Sequence, residues 1–282
     1  MSTSNVSGYS ARDQAEIARS AREAKTIGFV PVERSQVDRY LNPPRDTPWS
    51  LEYAYWLAGD LRGKIVLDLG CGNGENVVPL VERGAMVTGI DISADLIDLA
   101  KQRIDSVGAK AAIMVGSAYQ TGMPDASVDV IFCIALVHHL EIQPARAEML
   151  RVLKPSGFVV LLEPIRFSKT YDRLRKLLQP GALISEYEHP LTRAEFACLT
   201  AGFEVENLRL FRLPFVPLVD RALRRNSRGI RRLSAWMIQH IPGVGHYATG
   251  VVARLRKQGN GQCLRCLNNG GRRQNRTYTP FR

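Results

Sequence analysis

The 282-residue chain is 45% apolar and 23% charged, enough to bury one sizeable α/β core with appendages. It contains no uninterrupted apolar run of about 18 residues, which argues against a membrane-spanning helix. Its first residues are polar and lack the apolar centre of a secretion signal, so a cytoplasmic location is expected. The formal charge of +11 is uneven: residues 1–204 carry 22 Lys/Arg against 25 Asp/Glu, residues 205–253 carry 8 against 2, and residues 254–282 carry 8 against none. The basic character belongs to the end of the chain, which weakens any inference from net charge that the core handles nucleic acid. The five cysteines are few and mostly isolated, which suits a reducing compartment, and the single Cys263-Leu-Arg-Cys266 pair is at most half of a zinc site. No metal site is expected.

In chain order, residues 11–25 suit a polar helix, and Asn42-Pro43-Pro44 with Pro48 breaks the chain before a second helix over 50–58, for which Ser50 is the expected cap. From Lys64 the pattern turns to alternating strands and helices. Strands are predicted over 65–69, 86–91, 111–115, 128–133 and 158–163, and helices over 75–83, 94–105 with Ser93 as cap, and 143–153. Helices at 171–178 and 192–201, an alternating strand at 203–213 and a last strand at 247–255 follow. The first strands are apolar on both faces, as in a parallel sheet covered on both sides. The expected architecture is α/β, Rossmann-like and doubly wound, with a mostly parallel seven-stranded sheet. Residues 1–60 form an N-terminal helical cap, 61–257 the main domain with a helical insertion at 214–245, and 258–282 a basic tail expected to be disordered.

Gly70, Gly72 and Gly74 stand between a predicted strand and helix, where the backbone can turn sharply and approach a ligand. The helix N-terminus beyond them is expected to offer free N–H groups to an anion. Asp91 ends the next strand, where a carboxylate can accept from a ribose diol. The loop spacing is G-x-G-x-G, not the dinucleotide G-x-G-x-x-G, and Asp68 precedes it. A carboxylate there disfavours a pyrophosphate but can hold the ammonium of an amino acid.

Val-Leu-Asp-Leu-Gly-Cys-Gly-Asn-Gly (66–74) resembles the first motif of class I methyltransferases, and Val-Thr-Gly-Ile-Asp-Ile-Ser (87–93) the second. Pro-Asp-Ala-Ser-Val-Asp-Val-Ile (124–131), Leu-Val-His-His-Leu (136–140) and Leu-Lys-Pro-Ser-Gly (153–157) are similar to the later motifs, so the resemblance covers about residues 61–165. It implies S-adenosylmethionine as cofactor, with Asp68, Gly70, Cys71, Gly72 and Gly74 around its methionine part. It also implies Asp91 on the ribose and Ile92 against the adenine, with Ile134 among the cofactor residues. Where the family usually has an Asp for the adenine amino group, this sequence has Ser117-Ala118, a weaker acceptor. His138 and His139 fall in the family's active-site region, and either suits a general base. Glu163 suits substrate contact or a capping role. Tyr9, Tyr40 and Trp49 belong to the segment that often lids the cofactor in related enzymes.

The insertion places Arg221, Arg224, Arg225, Arg228, Arg231 and Arg232 at helical steps, with Leu218, Ala222, Leu223, Ile230, Leu233, Trp236 and Met237 as an apolar counterpart. Asn226-Ser227 and Gly229 are expected to divide it into two short helices. Three roles fit: a lid packed on the sheet, peripheral contact with an anionic membrane, or nucleic-acid binding. The acceptor expected from the resemblance is a small, lipophilic molecule. An RNA methyltransferase is the alternative, though the Asn/Asp-Pro-Pro-aromatic motif of base-amino enzymes is replaced by Ile134-Ala135-Leu136-Val137. A non-catalytic scaffold is the third reading, opposed by the intact Asp68, glycines and Asp91.

Overall fold

The computed structural model describes residues 10–168, 189–224 and 226–258. The predicted helix at 171–178, Tyr9, Arg225, the Cys263/Cys266 pair and residues 259–282 lie outside the described residues.

Seven strands form one sheet: β1 (Ile65–Leu69), β2 (Met86–Asp91), β3 (Ala112–Val115), β4 (Val128–Ile134), β5 (Leu153–Pro164), β6 (Phe203–Phe211) and β7 (Gly250–Lys257), in the order β3-β2-β1-β4-β5-β7-β6. The first five run parallel, whereas β7 is antiparallel to both neighbours. This is the expected mostly parallel, doubly wound sheet. The order reverses between β1 and β4, so the ends of these two strands flank the crevice where such sheets bind ligands.

Period-two alternation divides the core. Val66, Val130, Phe132 and Val160 face one cluster with Tyr55, Leu57, Val78 and Ile97, while Leu67, Leu69, Ile131, Cys133 and Leu161 face another with Met149, Val152, Phe196 and Leu199. The first cluster is covered by α2 (Arg34–Leu41), α3 (Ser50–Ala58), α4 (Val77–Glu82) and α5 (Ala94–Ser106), and the second by α6 (Ile142–Val152) and α7 (Arg193–Thr200). The helix α1 (Ala11–Ile27) begins in a capping box, in which Ser10 and Asp13 exchange side-chain and backbone bonds. Among the described residues no helix is long and apolar enough to cross a membrane.

Three local expectations are corrected. A helix over 34–41 lies where no element was predicted, its short turn held by Val37 in the core. Ser50 is not the cap of its helix: Trp49 holds that position, and Thr47 accepts from the Trp49 N–H while bonding Glu52. The insertion does divide into two helices, α8 (Phe215–Ala222) and α9 (Arg228–His240), with Ser227 capping the second, but Gly229 sits inside α9 and does not interrupt it.

Candidate active site

The glycine loop is tied to β2 by its own amides. Gly70 and Cys71 N–H donate to the Ile90 carbonyl at 2.8 and 3.0 Å, and Gly72 N–H donates to Asp91 Oδ2 at 3.0 Å. Gly74 N–H goes to the Cys71 carbonyl. These four loop amides are engaged within the protein, and in the first turn of α4 the Val77 N–H donates to the Gly74 carbonyl at 3.2 Å. Gly70, at φ +75°, needs glycine twice over, since a Cβ would also stand 2.7 Å from Leu136 Cδ1. Gly72 differs: a Cβ there would meet nothing within 4 Å. Gly74 packs against Ala100 of α5, and Cys71 turns its buried side chain against β2, where burial pushes the thiol up.

Two carboxylates stand behind this loop. Asp91 is anchored through both oxygens, Oδ2 to Gly72 N–H and Oδ1 to Ser93 N–H at 2.9 Å, which leaves further lone pairs for ligand hydroxyls. Burial pushes its carboxyl up, while the two amides work against that shift. Asp68 is 1% exposed, and its buried Oδ2 has no hydrogen-bond partner among the described residues. Burial first, and the Asp91 charge second, push its carboxyl up to about 8. An oxygen so placed lacks a donor that a ligand ammonium would supply.

Gly70, Asp91, Ile92, Ser117, Ala118 and His139 are brought together around one cavity of about 50 Å³. Ser117 Oγ accepts from Tyr119 N–H at 3.2 Å. Asp68, Cys71, Gly72, Gly74, Ile134 and His138 do not line this cavity: the first four lie behind or along the loop, and Ile134 packs against the first core cluster. The far wall comes from α1, through Asp13 and Glu16, and from Tyr119, none of which the sequence reading singled out. Nδ1 of His139 lies 3.2 Å from Glu16 Oε2. Burial works to raise the Glu16 carboxyl, but His139 and Arg19 outweigh it and hold it at about 2.

His138 belongs to a different cavity. Ala135, at φ +53°, turns the chain sharply after β4, and the next two amides, Leu136 and Val137 N–H, donate to Glu163 Oε1 at 2.9 and 2.7 Å. The other oxygen, Oε2, lies 2.7 Å from His138 Nδ1, and Glu163 is wholly buried. Glu163 thus stands beneath the histidine and holds its turn. His138 then lines a cavity of about 510 Å³ with apolar walls from Val137, Ile142 and Leu191 and polar groups from Arg12 and His189. Leu140 borders both cavities, and the two histidine rings stand 4.0 Å apart, centroid to centroid. Adjacent residues in sequence thus serve two adjacent spaces.

Residues 67–161 match the family model of a methyltransferase domain. The chain is 31% identical over 169 residues to malonyl-acyl-carrier-protein O-methyltransferase of Serratia marcescens, an alignment covering 57% of this chain and 63% of that protein, less than two thirds of its length. It is 32% identical over 161 residues to ubiquinone biosynthesis O-methyltransferase of Thiobacillus denitrificans, covering 52% of this chain and 68% of that protein. Among solved structures, geranyl diphosphate C-methyltransferase from Streptomyces coelicolor matches with a TM-score of 0.59 at 15% identity, over 88% of this chain and 98% of that one, a likeness of fold alone. With a mostly parallel sheet that reverses its order at the glycine loop, and relatives of this kind, the chain belongs to the class I S-adenosylmethionine-dependent methyltransferases.

Proposed function

We propose that this enzyme methylates a hydroxyl oxygen of a small, partly apolar acceptor bound in the cavity beside His138. The observation that carries this reading is the 2.7 Å contact between the buried Glu163 and Nδ1 of His138, which itself lines that cavity. The relatives named as O-methyltransferases support oxygen as the acceptor atom.

The cofactor supplies a methyl group already activated by its sulfonium, so the protein's task is largely to position the acceptor and remove its proton. In this reading Asp68 Oδ2 receives the ammonium and Asp91 the ribose hydroxyls. Ile92 lies against the adenine, and Ser117 takes the weak acceptor role toward its amino group. Glu163 holds His138 Nδ1, so the acceptor's proton is taken at Nε2 and the oxygen's electron pair becomes available. Val137, Ile142 and Leu191 exclude water from that oxygen and favour an apolar acceptor body. We assign His139 to the cofactor side, through its contact with Glu16, and not to proton removal. The catalytic unit in this reading is 61–257, with the preceding segment as its cap.

The cofactor cavity, at about 50 Å³, is far below the ~300 Å³ or more of ordinary ligand pockets. Helix α1 forms its outer wall, so α1 must swing aside for the cofactor to enter. The test is a screen with methyl-labelled cofactor against phenols, carboxylic acids, amines and thiols, with the product bond identified by mass spectrometry. Methyl ethers are expected, and a methyl ester as the sole product would overturn the hydroxyl assignment. Exclusive N- or S-methylation would overturn the oxygen assignment.

A further inference from the structure

The two-helix insertion has an inner face that is fully engaged and an outer face that is not. On the inner face Val216 is buried and Leu213 N–H donates to Ser234 Oγ at 2.9 Å. Asp220 joins the two helices: its Oδ2 meets Arg231 Nη2 at 2.6 Å and its Oδ1 accepts from Ser227 N–H at 2.9 Å. Arg231 also stands 4.4 Å over the Trp49 ring, which seats the insertion on the N-terminal cap. None of these inner groups needs the outer face.

The apolar residues that sequence periodicity suggested for packing are partly on the outside. Leu218, Leu223, Leu233 and Trp236 are between 48% and 55% exposed, and Arg221, Arg224, Arg228 and Arg232 are exposed among them. These four arginines make no ion pair among the described residues, since the one local carboxylate, Asp220, is taken by Arg231. On α9 the steps 228, 232, 236 and 229, 233, 240 put Arg228, Arg232, Leu233, Trp236 and His240 on one side. Trp236 stacks on His240 with centroids 5.2 Å apart, and so presents a stiff aromatic surface.

We propose that the outer face of α8 and α9 docks on an anionic lipid surface, with the leucines and Trp236 entering the headgroup boundary and the arginines meeting lipid phosphates. Aliphatic and indole groups interleaved with unpaired arginines fit that medium on both counts. A second copy of the chain fits worse, because it would bring two sets of arginines together. A nucleic acid would pair the arginines but leave Leu218 and Leu233 in water. Such docking would bring a lipophilic acceptor's source close to the enzyme, although the surface itself needs neither cofactor nor acceptor to bind.

The test is flotation of the full chain with vesicles of pure phosphatidylcholine or with one third phosphatidylglycerol, at low and high salt. Three proteins are compared: wild type, Leu233→Ser with Trp236→Ser, and Arg224→Glu with Arg228→Glu and Arg232→Glu. All keep the same basic tail, so its contribution is constant. Wild type should bind the anionic vesicles only, and both variants should weaken binding roughly tenfold or more while S-adenosylmethionine affinity and melting temperature hold. Failure of wild type to bind would overturn the proposal. So would loss in the arginine variant with full binding in the Leu233/Trp236 variant, which would mark a general polyanion surface, to be checked against a short RNA.

Discussion

Glu163 Oε2 and His138 Nδ1 lie 2.7 Å apart, while the same carboxylate's other oxygen fixes the two amides that lead into the histidine. One fully buried side chain at the end of β5 therefore sets both the backbone turn after β4 and the orientation of the imidazole. On the proposed mechanism Glu163 is a positioning residue, acting through His138. Glu163→Gln should preserve cofactor affinity and lower kcat roughly 10- to 100-fold, in the range seen when a group supporting a functional histidine is lost. The pH profile of kcat/KM should also move, which a purely structural loss would not produce. An unchanged rate and profile in a folded variant would contradict the role.

Asp68 predicts a proton-linked cofactor affinity. In the cofactor-free protein its carboxyl is pushed up to about 8, so near neutrality it is largely protonated, and pairing with an ammonium requires its ionised form. Binding should therefore release close to one proton at about pH 6.5, and the dissociation constant should fall roughly tenfold per pH unit between about pH 5 and 7. Titration calorimetry in buffers of different ionisation enthalpy measures this directly. Without ligand the sign is opposite to that of a salt-bridged acid. A carboxyl raised above its unfolded value contributes stability that is full below about pH 4 and lost as pH rises through about 8. Asp68→Asn should then abolish tight binding yet stabilise the cofactor-free protein at pH 8, by on the order of a few kcal/mol.

The Glu16–His139 contact joins α1 to the turn that carries both histidines. Because the Glu16 carboxyl is held at about 2, its contribution to stability is present above about pH 4.5 and lost as pH falls toward 2. Glu16→Ala should loosen α1 more than the rest of the fold. Stopped-flow cofactor association is expected to accelerate severalfold, with faster amide exchange confined to residues 11–27. Unchanged association would mean that α1 does not gate the cavity.

Gly70 offers a test of the loop geometry. An alanine there combines an unfavourable positive φ with a Cβ only 2.7 Å from Leu136 Cδ1. Gly70→Ala should cost about 2–4 kcal/mol of stability. Adding Leu136→Ala should return part of it by removing the clash, as read from thermal or urea unfolding.

Local pattern carried most of the fold and one side of the site. The apolar run Ile65–Leu67, the glycines after it and Asp91 at the end of the next strand are neighbours in sequence and in space, so spacing alone located them. The α2 helix was not legible because its Arg34–Leu41 segment buries only Val37 and is held by tertiary contacts such as Arg39 with Glu52. Glu163 could be read from sequence as a substrate contact or a cap, and only the β4–β5 register brings it under His138. Glu16 and Asp13 gave no signal at all, since a polar helix looks solvated until it is laid across a cavity. The apolar stripe of the insertion was visible, but periodicity cannot say whether a stripe packs inward or stays outside. Here Leu233 and Trp236 stay outside, because Ser234 and Arg231 make the inward contacts.

The most direct measurement is single-turnover methyl transfer by His138→Ala, with cofactor affinity determined on the same protein. The division between a cofactor cavity at Asp91 and an acceptor cavity at His138 predicts unchanged S-adenosylmethionine binding with transfer reduced roughly 10²- to 10⁴-fold. Transfer at the wild-type rate would contradict it, and would move proton removal away from His138.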